Sequence, residues 1–519
     1  MKITHLIFAF FLIFTISVSA QEEKKSKSEL QQRQLFFSDS TNLVNFDYAK
    51  LSPLFVKDLM PKQISRIAIA YQRDQGKFIE AQGSTKTNTA HLYSDGVTEL
   101  KGVKLYGSFD YKKVFEDSTR FAHQTRNNIT TPYYYGSPTN NHYERAIYNF
   151  KALGAKSIFA DKLTFGLGLD YTVADHFANN DPRGSINEYQ LNAKASLAYN
   201  LSDKISLGAG YIFGYGQEKV TVGYKNPIYY ESLSSPRHVN FLINGYGEPI
   251  PKPSYRNYND FQDRSGFEGV FSAKNTKFGS FYIHGSLVEE KQRYDYRTSD
   301  EITDMASYDL IKTTINLLWD KTLLKGRIAT NISYKNLAGE DYNVVYFAKN
   351  YVYSANELEA NINYSTTRNK NIYNYLVGLR NFNEERIDGI TGNKVYSNNL
   401  ILNGGFGLQH QINNNQSIGA SLGAGYTLPL DDSFFVSPAN ESYFTRDVIF
   451  HNYLYNTASS YSGSFSANYS FPFYNTMQAA VKINLVYATK AELQDLQRTL
   501  TTTPGKDRFF NNISLNLYF

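Results

Sequence analysis

Three observations predict an all-β fold, a transmembrane antiparallel β-barrel of about sixteen strands. Apolar and polar residues alternate in segment after segment, the connections alternate between short and long, and the final segment is two-faced to its last residue. In residues 163–173, Leu163, Phe165, Leu167, Leu169, Tyr171 and Val173 share one parity, while Thr, Gly and Asp take the other. Residues 189–199 and 205–215 repeat the pattern. Side chains alternate across a strand, so each segment has one apolar and one polar face. Alternation that lasts eleven residues outruns the roughly five or six of a soluble sheet strand. A soluble sandwich or propeller also gives no reason for the short–long rhythm of connections.

Residues 1–20 read as a secretory signal. Lys2 and His5 precede an apolar run, and Val18-Ser-Ala20 supplies the small residues of a cleavage site. No Cys follows to carry a lipid anchor. Beyond that leader, no run of about eighteen apolar residues exists, which excludes a helical membrane protein. Residues 21–61 are expected to form a periplasmic segment. Its first part, 22–34, is charged; its second, 42–53, is apolar enough to dock in the lumen as a partial plug.

The barrel is assigned to 62–519. Strands are expected from near Val103 onward, and fourteen to eighteen are allowed because residues 63–82 also have strand character. Tight turns are expected at 160–162, 202–204, 274–277, 320–322, 367–370, 413–416 and 473–475. Long loops are expected at 175–185, 222–260, 337–351, 429–452 and 490–506. An even strand number returns both barrel ends to the periplasmic side and leaves the long loops outside the cell.

Aromatics make up 15% of the chain, with 43 Tyr and 36 Phe against 1 Trp. Tyr suits strands and also the membrane–water boundary. The polar parity places Lys104, Asp110, Glu188, Lys194, Glu268, Lys312, Lys335, Glu357, Glu359, Arg380 and Lys482 in the lumen, which reads as wet and charged. The net charge of +5 in 519 residues, with Lys and Arg scattered, gives no reason to invoke nucleic acid. Zero cysteines exclude disulfides and thiolate metal sites.

No catalytic signature is legible, and no enzyme activity, cofactor or metal is expected. His176 near Asp175 and Asp181, His91 near Ser94 and Asp95, and His284 between Ser280 and Ser286 read as solvated loop or lumen histidines. The nine histidines lack zinc spacing. Asp431-Asp432 and the set Asp300, Glu301 and Asp304 read as exposed acidic turns rather than calcium loops. The loop 222–260 is longer than a connector needs. Its Tyr224, Tyr229, Tyr230, Phe241, Tyr246 and Tyr255 are candidates for a lid or for a surface that meets a ligand or partner.

In the C-terminal segment, Phe509, Ile513, Leu515, Leu517 and Phe519 share one parity. This ending resembles that of bacterial outer-membrane β-barrels, and the resemblance implies recognition by the barrel-insertion machinery. Asp181-Pro-Arg183 with Asn187, after a strand through Tyr171, resembles a family of Bacteroidota outer-membrane β-barrels of unknown function. Gly107-Ser-Phe-Asp-Tyr111 is similar to that family's early barrel strand. The resemblance implies outer-membrane location, barrel fold and a link to outer-membrane traffic. Asp181 and Arg183 are expected to form an ion pair that fixes their loop.

The function expected is a channel or accessory in transport across the outer membrane. The alternative is a scaffold that docks a lipoprotein, a receptor or secretion machinery through its loops. A fatty-acid-channel-like transporter is a further variant, disfavoured by the charged interior. The lipid of the outer membrane is the remaining expected partner.

Overall fold

The structure, a computed structural model, describes residues 36–128, 130–230, 235–247, 249–298, 301–474, 477–498 and 500–519. The leader, residues 21–35 and Asp300 lie outside the described residues, as does Asn475 of the turn expected at 473–475.

Among the described residues, eighteen strands close into one antiparallel barrel. In chain order they are β1 (Ile64–Gly76), β2 (Lys86–Leu100) and β3 (Val103–Thr119), then β5 (Asn141–Ile158), β6 (Leu163–Ala178), β7 (Arg183–Asn200) and β8 (Ile205–Gly223). The second half comprises β11 (Asn257–Thr276), β12 (Gly279–Arg297), β13 (Ile302–Leu323), β14 (Gly326–Asn343), β15 (Tyr351–Arg368) and β16 (Asn371–Asp388). It continues with β17 (Lys394–Asn413), β18 (Gln416–Phe435), β19 (Ser459–Tyr474), β20 (Met477–Glu492) and β21 (Asp507–Tyr518). Three short strands, β4 (Tyr133–Gly136), β9 (Phe241–Asn244) and β10 (Ile250–Pro251), form a separate sheet. Each barrel strand pairs with its neighbours in sequence, and β1 pairs with β21, from Arg66 opposite Tyr518 to Gly76 opposite Arg508.

That closure answers a physical demand. Hydrocarbon offers a backbone amide no partner, so a spanning sheet must leave no edge. The outward face is correspondingly greasy: Leu422 is 64% exposed, Val377 62% and Ile69 61%. Aromatic rings gather at two levels of that face. Near the turns lie Phe165, Tyr199, Phe281, Trp319, Tyr364 and Tyr469. Toward the loops lie Tyr111 stacked on Tyr148 at 4.7 Å, Tyr189 beside Tyr215, and Tyr426 beside Tyr461 at 4.8 Å. Amphipathic rings at two heights bracket the apolar band of a transmembrane barrel.

Beyond the loop-side rings the strands continue with polar residues on their outer face as well, such as Asn187, Gln217 and Lys219. This shortens two expected loops. The loop expected at 175–185 is only 179–182, and that expected at 337–351 is 344–350. The turn expected at 320–322 lies at 324–325, because Asp320 still pairs in β13 and receives two hydrogen bonds from Arg327 (2.7 and 2.6 Å).

Two neighbouring residues of β18 test the two-faced wall. Leu422→Arg, at mid-height on the lipid face, is expected to destabilise by about 2–4 kcal/mol, and Ser421→Arg on the lumen face by about 1 kcal/mol or less. Unfolding in denaturant from lipid vesicles reads the difference. Equal losses would mean that the faces are misassigned.

Candidate functional site

The lumen is closed at both mouths, and the closures define what it can do. At the turn-side mouth, a helix Ser40–Ala49 and a 3₁₀ turn Pro53–Phe55 fill the opening. Asp39 caps the helix by accepting from the Thr41 amide, and Ser52 caps the turn. Phe46, Tyr48, Leu54, Phe55 and Val56 bury against Tyr106, Leu153, Val270, Tyr282 and Leu318 of the wall.

Polar contacts fix this packing. Tyr48 donates to the carbonyls of Tyr282 (2.8 Å) and Asn316 (2.9 Å). Glu268 is the hub. It accepts from Ser52 Oγ (2.9 Å), Lys194 Nζ (2.9 Å) and Ser196, and His284 Nε2 lies 3.2 Å away. Lys194 also donates to the Leu51 carbonyl (2.8 Å), and Lys104 to the carbonyls of Lys57 and Met60. Arg327 reaches Asn42 (2.7 Å), while Lys57–Asp161 (2.9 Å) and Lys274–Asp58 (3.0 Å) tie the segment to the turns.

At the loop-side mouth three connections fold inward. The one after β3, residues 120–140, was not among the long loops expected from the sequence. It nevertheless contributes β4 and a buried stretch from Phe121 to Thr125. Gly136 sits against Phe121, whose Cα would lie 2.5 Å from any Cβ there, so no larger residue fits. Burial pushes the His123 imidazole down to about 3, with Arg145 adding to the effect. The connection between β18 and β19 carries a helix, Phe450–Asn456. From it His451 holds two further loops, through the Ile79 carbonyl (2.9 Å) and Thr502 Oγ1 (3.1 Å). Burial pushes that imidazole down as well, despite the Ile79 bond.

The long loop expected at 222–260 divides in two. Phe241 and Tyr246 are buried in the cap, 8% and 5% exposed, so of the lid and the contact surface expected for this loop they lie on no surface open to a partner. They pack inward because β9 pairs with β4, and Tyr246 donates its amide to Asp388 (2.9 Å). Tyr255 stacks on Tyr296 at 3.6 Å, and Tyr224 donates to the His238 carbonyl (2.7 Å). Tyr229 stacks on His238 at 3.8 Å, and Tyr230 carries Arg256 over its ring at 4.5 Å. Toward the tip, Tyr230 and Ile228 are exposed.

Asp181 receives Arg183 Nε (2.9 Å) and, across to the next loop, the amides of Lys225 (3.0 Å) and Asn226 (2.7 Å). Burial opposes its ionisation, but these donors outweigh it and hold the carboxyl below its ordinary value.

Between plug and cap, the lumen has two unlike walls. Lumen-facing Glu188, Glu218, Asp260, Gln262, Glu268 and Glu290 on β7, β8, β11 and β12 are buried. Neighbours pair most of them, whereas Glu218 and Asp260 each keep one buried carboxylate oxygen without a partner. Glu290 receives Arg264 (2.7 Å) and Lys312 (2.6 Å), and Glu116 receives Arg145 (2.9 Å) and Arg126 (3.1 Å). Glu188 accepts from Asn127 of the cap (2.8 Å) and lies 3.3 Å from His176. The interior expected to be wet and charged is, on this side, dry and paired. Desolvated charges persist only where partners satisfy them.

The opposite wall, β15 to β20, is open. Glu357 receives Arg380 (2.9 Å), Glu359 is half-buried and accepts from Asn361 (2.5 Å), and lumen-facing Asn403 is exposed. The polar-parity residues Lys104, Glu188, Lys194, Glu357, Glu359 and Arg380 all point inward, but only the last three border this space. His91 lies 2.9 Å from Asp110. Asp432 accepts from Tyr453 and from Gln494 (2.7 Å). No group of three or more metal-ligating side chains among the described residues is arranged to hold an ion. At the C-terminus Ile513 and Leu515 face lipid, while Ser514, Asn516 and Tyr518 are buried inside.

Asp181→Ala is expected to abolish protection of the Lys225 and Asn226 amides, read by hydrogen exchange. A lowered carboxyl pKa contributes order that is complete above the ordinary aspartate value, about 3.9, and is lost as pH falls through the folded value. In the unaltered chain the same two amides should therefore lose protection only in acid below that range. Unchanged exchange in the variant would remove the Asp181 clasp.

A profile for a family of unknown function, DUF6850, matches residues 53–519. No curated protein matches the sequence. Among solved structures, the siderophore receptor PiuA from Acinetobacter baumannii aligns at 9% identity and a TM-score of 0.38, over 88% of this chain and 82% of its own. A Pseudomonas aeruginosa FadL homologue aligns at 12% and 0.35, over 91% and 93%. The FrpB iron transporter from Neisseria meningitidis (F5-1 variant) aligns at 9% and 0.40, over 90% and 84%. With a match running from the plug's 3₁₀ turn through the whole barrel, the chain belongs to the DUF6850 family of unknown function.

Proposed function

We propose that this protein is an outer-membrane transport barrel whose lumen passes a polar solute, with the N-terminal plug as its gate. The observation that carries this reading is the open wall on β15 to β20, enclosed between two docked closures. A barrel built only as an anchor has no need of a water-filled side. In this reading the turn side faces the periplasm, the loop side faces outward, and residues 1–20 are the export leader.

The plug suits a gate because its grip is divisible. Lys57–Asp161 is a solvent-bathed pair and Lys274–Asp58 a partly covered one, and exposed pairs of this kind hold weakly. Most of the hold lies in the apolar cluster and in Glu268. A periplasmic partner pulling on the chain before Phe36 would meet few strong contacts at once.

A second reading rests on the open loop tip. Ile228 and Tyr230 offer an apolar and aromatic surface outside the barrel mouth, suited to a docked lipoprotein or receptor. Copurification of a stoichiometric partner, lost on trimming residues 226–236, supports that reading.

A chain lacking residues 21–61 is expected to show larger single-channel conductance in planar bilayers than the full chain. Should that deletion impair folding, Lys104→Ala with Arg327→Ala loosens the same plug. Silent bilayers with both folded variants would eliminate the gated pore.

A further inference from the structure

We infer that the middle of the open wall, β17 to β19, is a path for neutral, hydroxyl-rich solutes of the sugar class. This deepens the transport reading and rests on it for passage, though not for binding.

The chemistry of the lane is distinct from that of the rest of the lumen. Lumen-facing positions on β17, β18 and β19 include Asn403, Gly405, Gly423, Gly425, Ser462 and Ser464, in register across the strands: Gly423 lies opposite Ser464 and Gly425 opposite Ser462. At the inward positions of 401–409, 419–427 and 460–470 there is no Asp, Glu, Lys or Arg. The facing wall, by contrast, is built from ion pairs. Small residues deepen the lumen here, and the nearest charges, the Glu357–Arg380 pair, Glu359 and Lys482, stand on the flanking strands β15, β16 and β20, so an ion on β17 to β19 finds no counter-charge on these strands to replace its lost hydration.

A second, independent observation points to a ligand. Asn399, at the loop-side head of the lane, is nine-tenths buried. Its amide nitrogen donates to the Asn456 carbonyl (2.7 Å), and its Oδ1 has no partner. Asn468 and Asn512 also carry unpartnered amide oxygens. A buried acceptor left empty is costly, and a solute hydroxyl would fill it. Amides and serine hydroxyls both donate and accept, as sugar hydroxyls do, so one surface can follow such a ligand through many orientations. A greasy ligand would find almost no apolar side chain along these positions.

The chain lacks cysteine, so one introduced thiol reports alone. Ser464→Cys in the folded full-length protein is expected to react with a neutral methanethiosulfonate, whereas Gly463→Cys on the lipid face stays unreactive. Glucose or raffinose should slow the Ser464→Cys reaction about threefold once its concentration reaches twice its Kd, by simple competition. Potassium gluconate at equal concentration should not. Labelling of Asn414→Cys in an exposed turn should be indifferent to all three. An unreactive Ser464→Cys, no slowing by either sugar, or equal slowing by gluconate would overturn the inference. If the sugars protect while bilayers with the plug removed stay silent, the transport reading falls and the binding lane remains.

Discussion

Every feature of this molecule follows from the need to satisfy backbone amides where there is no water. In hydrocarbon each N–H and C=O must find a protein partner, and a sheet does so only by closing on itself. Pairing of β1 with β21 completes that closure. Once the sheet is closed, alternate residues are committed to opposite solvents, lipid outside and the lumen within. The aromatic levels, the greasy belt and the polar interior are consequences of that one commitment.

Closure creates a second problem, because an eighteen-strand ring encloses more space than its own inward side chains fill. The protein fills the space unevenly. One side receives the plug, the cap and a set of buried ion pairs centred on Glu116, Glu268 and Glu290. These charges are tolerable because each has partners within hydrogen-bond reach. At mid-height on β17 to β19 the inward residues instead shrink to Gly and Ser. The lumen is therefore a lane along one wall rather than a central pore.

The plug and cap differ in how they are held. The cap is woven from several loops through β4, β9 and β10 and a crowd of buried tyrosines, so it behaves as part of the barrel. The plug is one short segment that meets the wall through an apolar patch and a single buried carboxylate hub. That asymmetry is the structural ground for placing the moving part at the turn side.

Residue pattern alone was enough to identify the barrel, because lipid enforces alternation strictly enough to read. It did so least well where that enforcement lapses. The outward face of β2 is Asn88, Ala90, Leu92, Ser94 and Gly96, too weak a stripe to mark a strand, so the count from residues fell near sixteen. Past the membrane both faces are polar, so the strand ends around Asp175 and Leu337 looked like loops. The inward direction of Lys104, Glu188 and Arg380 was legible from parity. What each one touches was not, because Glu268 meets Ser52, and Arg327 meets Asn42, across hundreds of residues. That 120–140 and Phe241 fold into the mouth, and which wall stays open, became visible in the folded chain and not before. Local pattern fixes the face on which a side chain lies, whereas the filling of an enclosed space depends on every segment that competes for it.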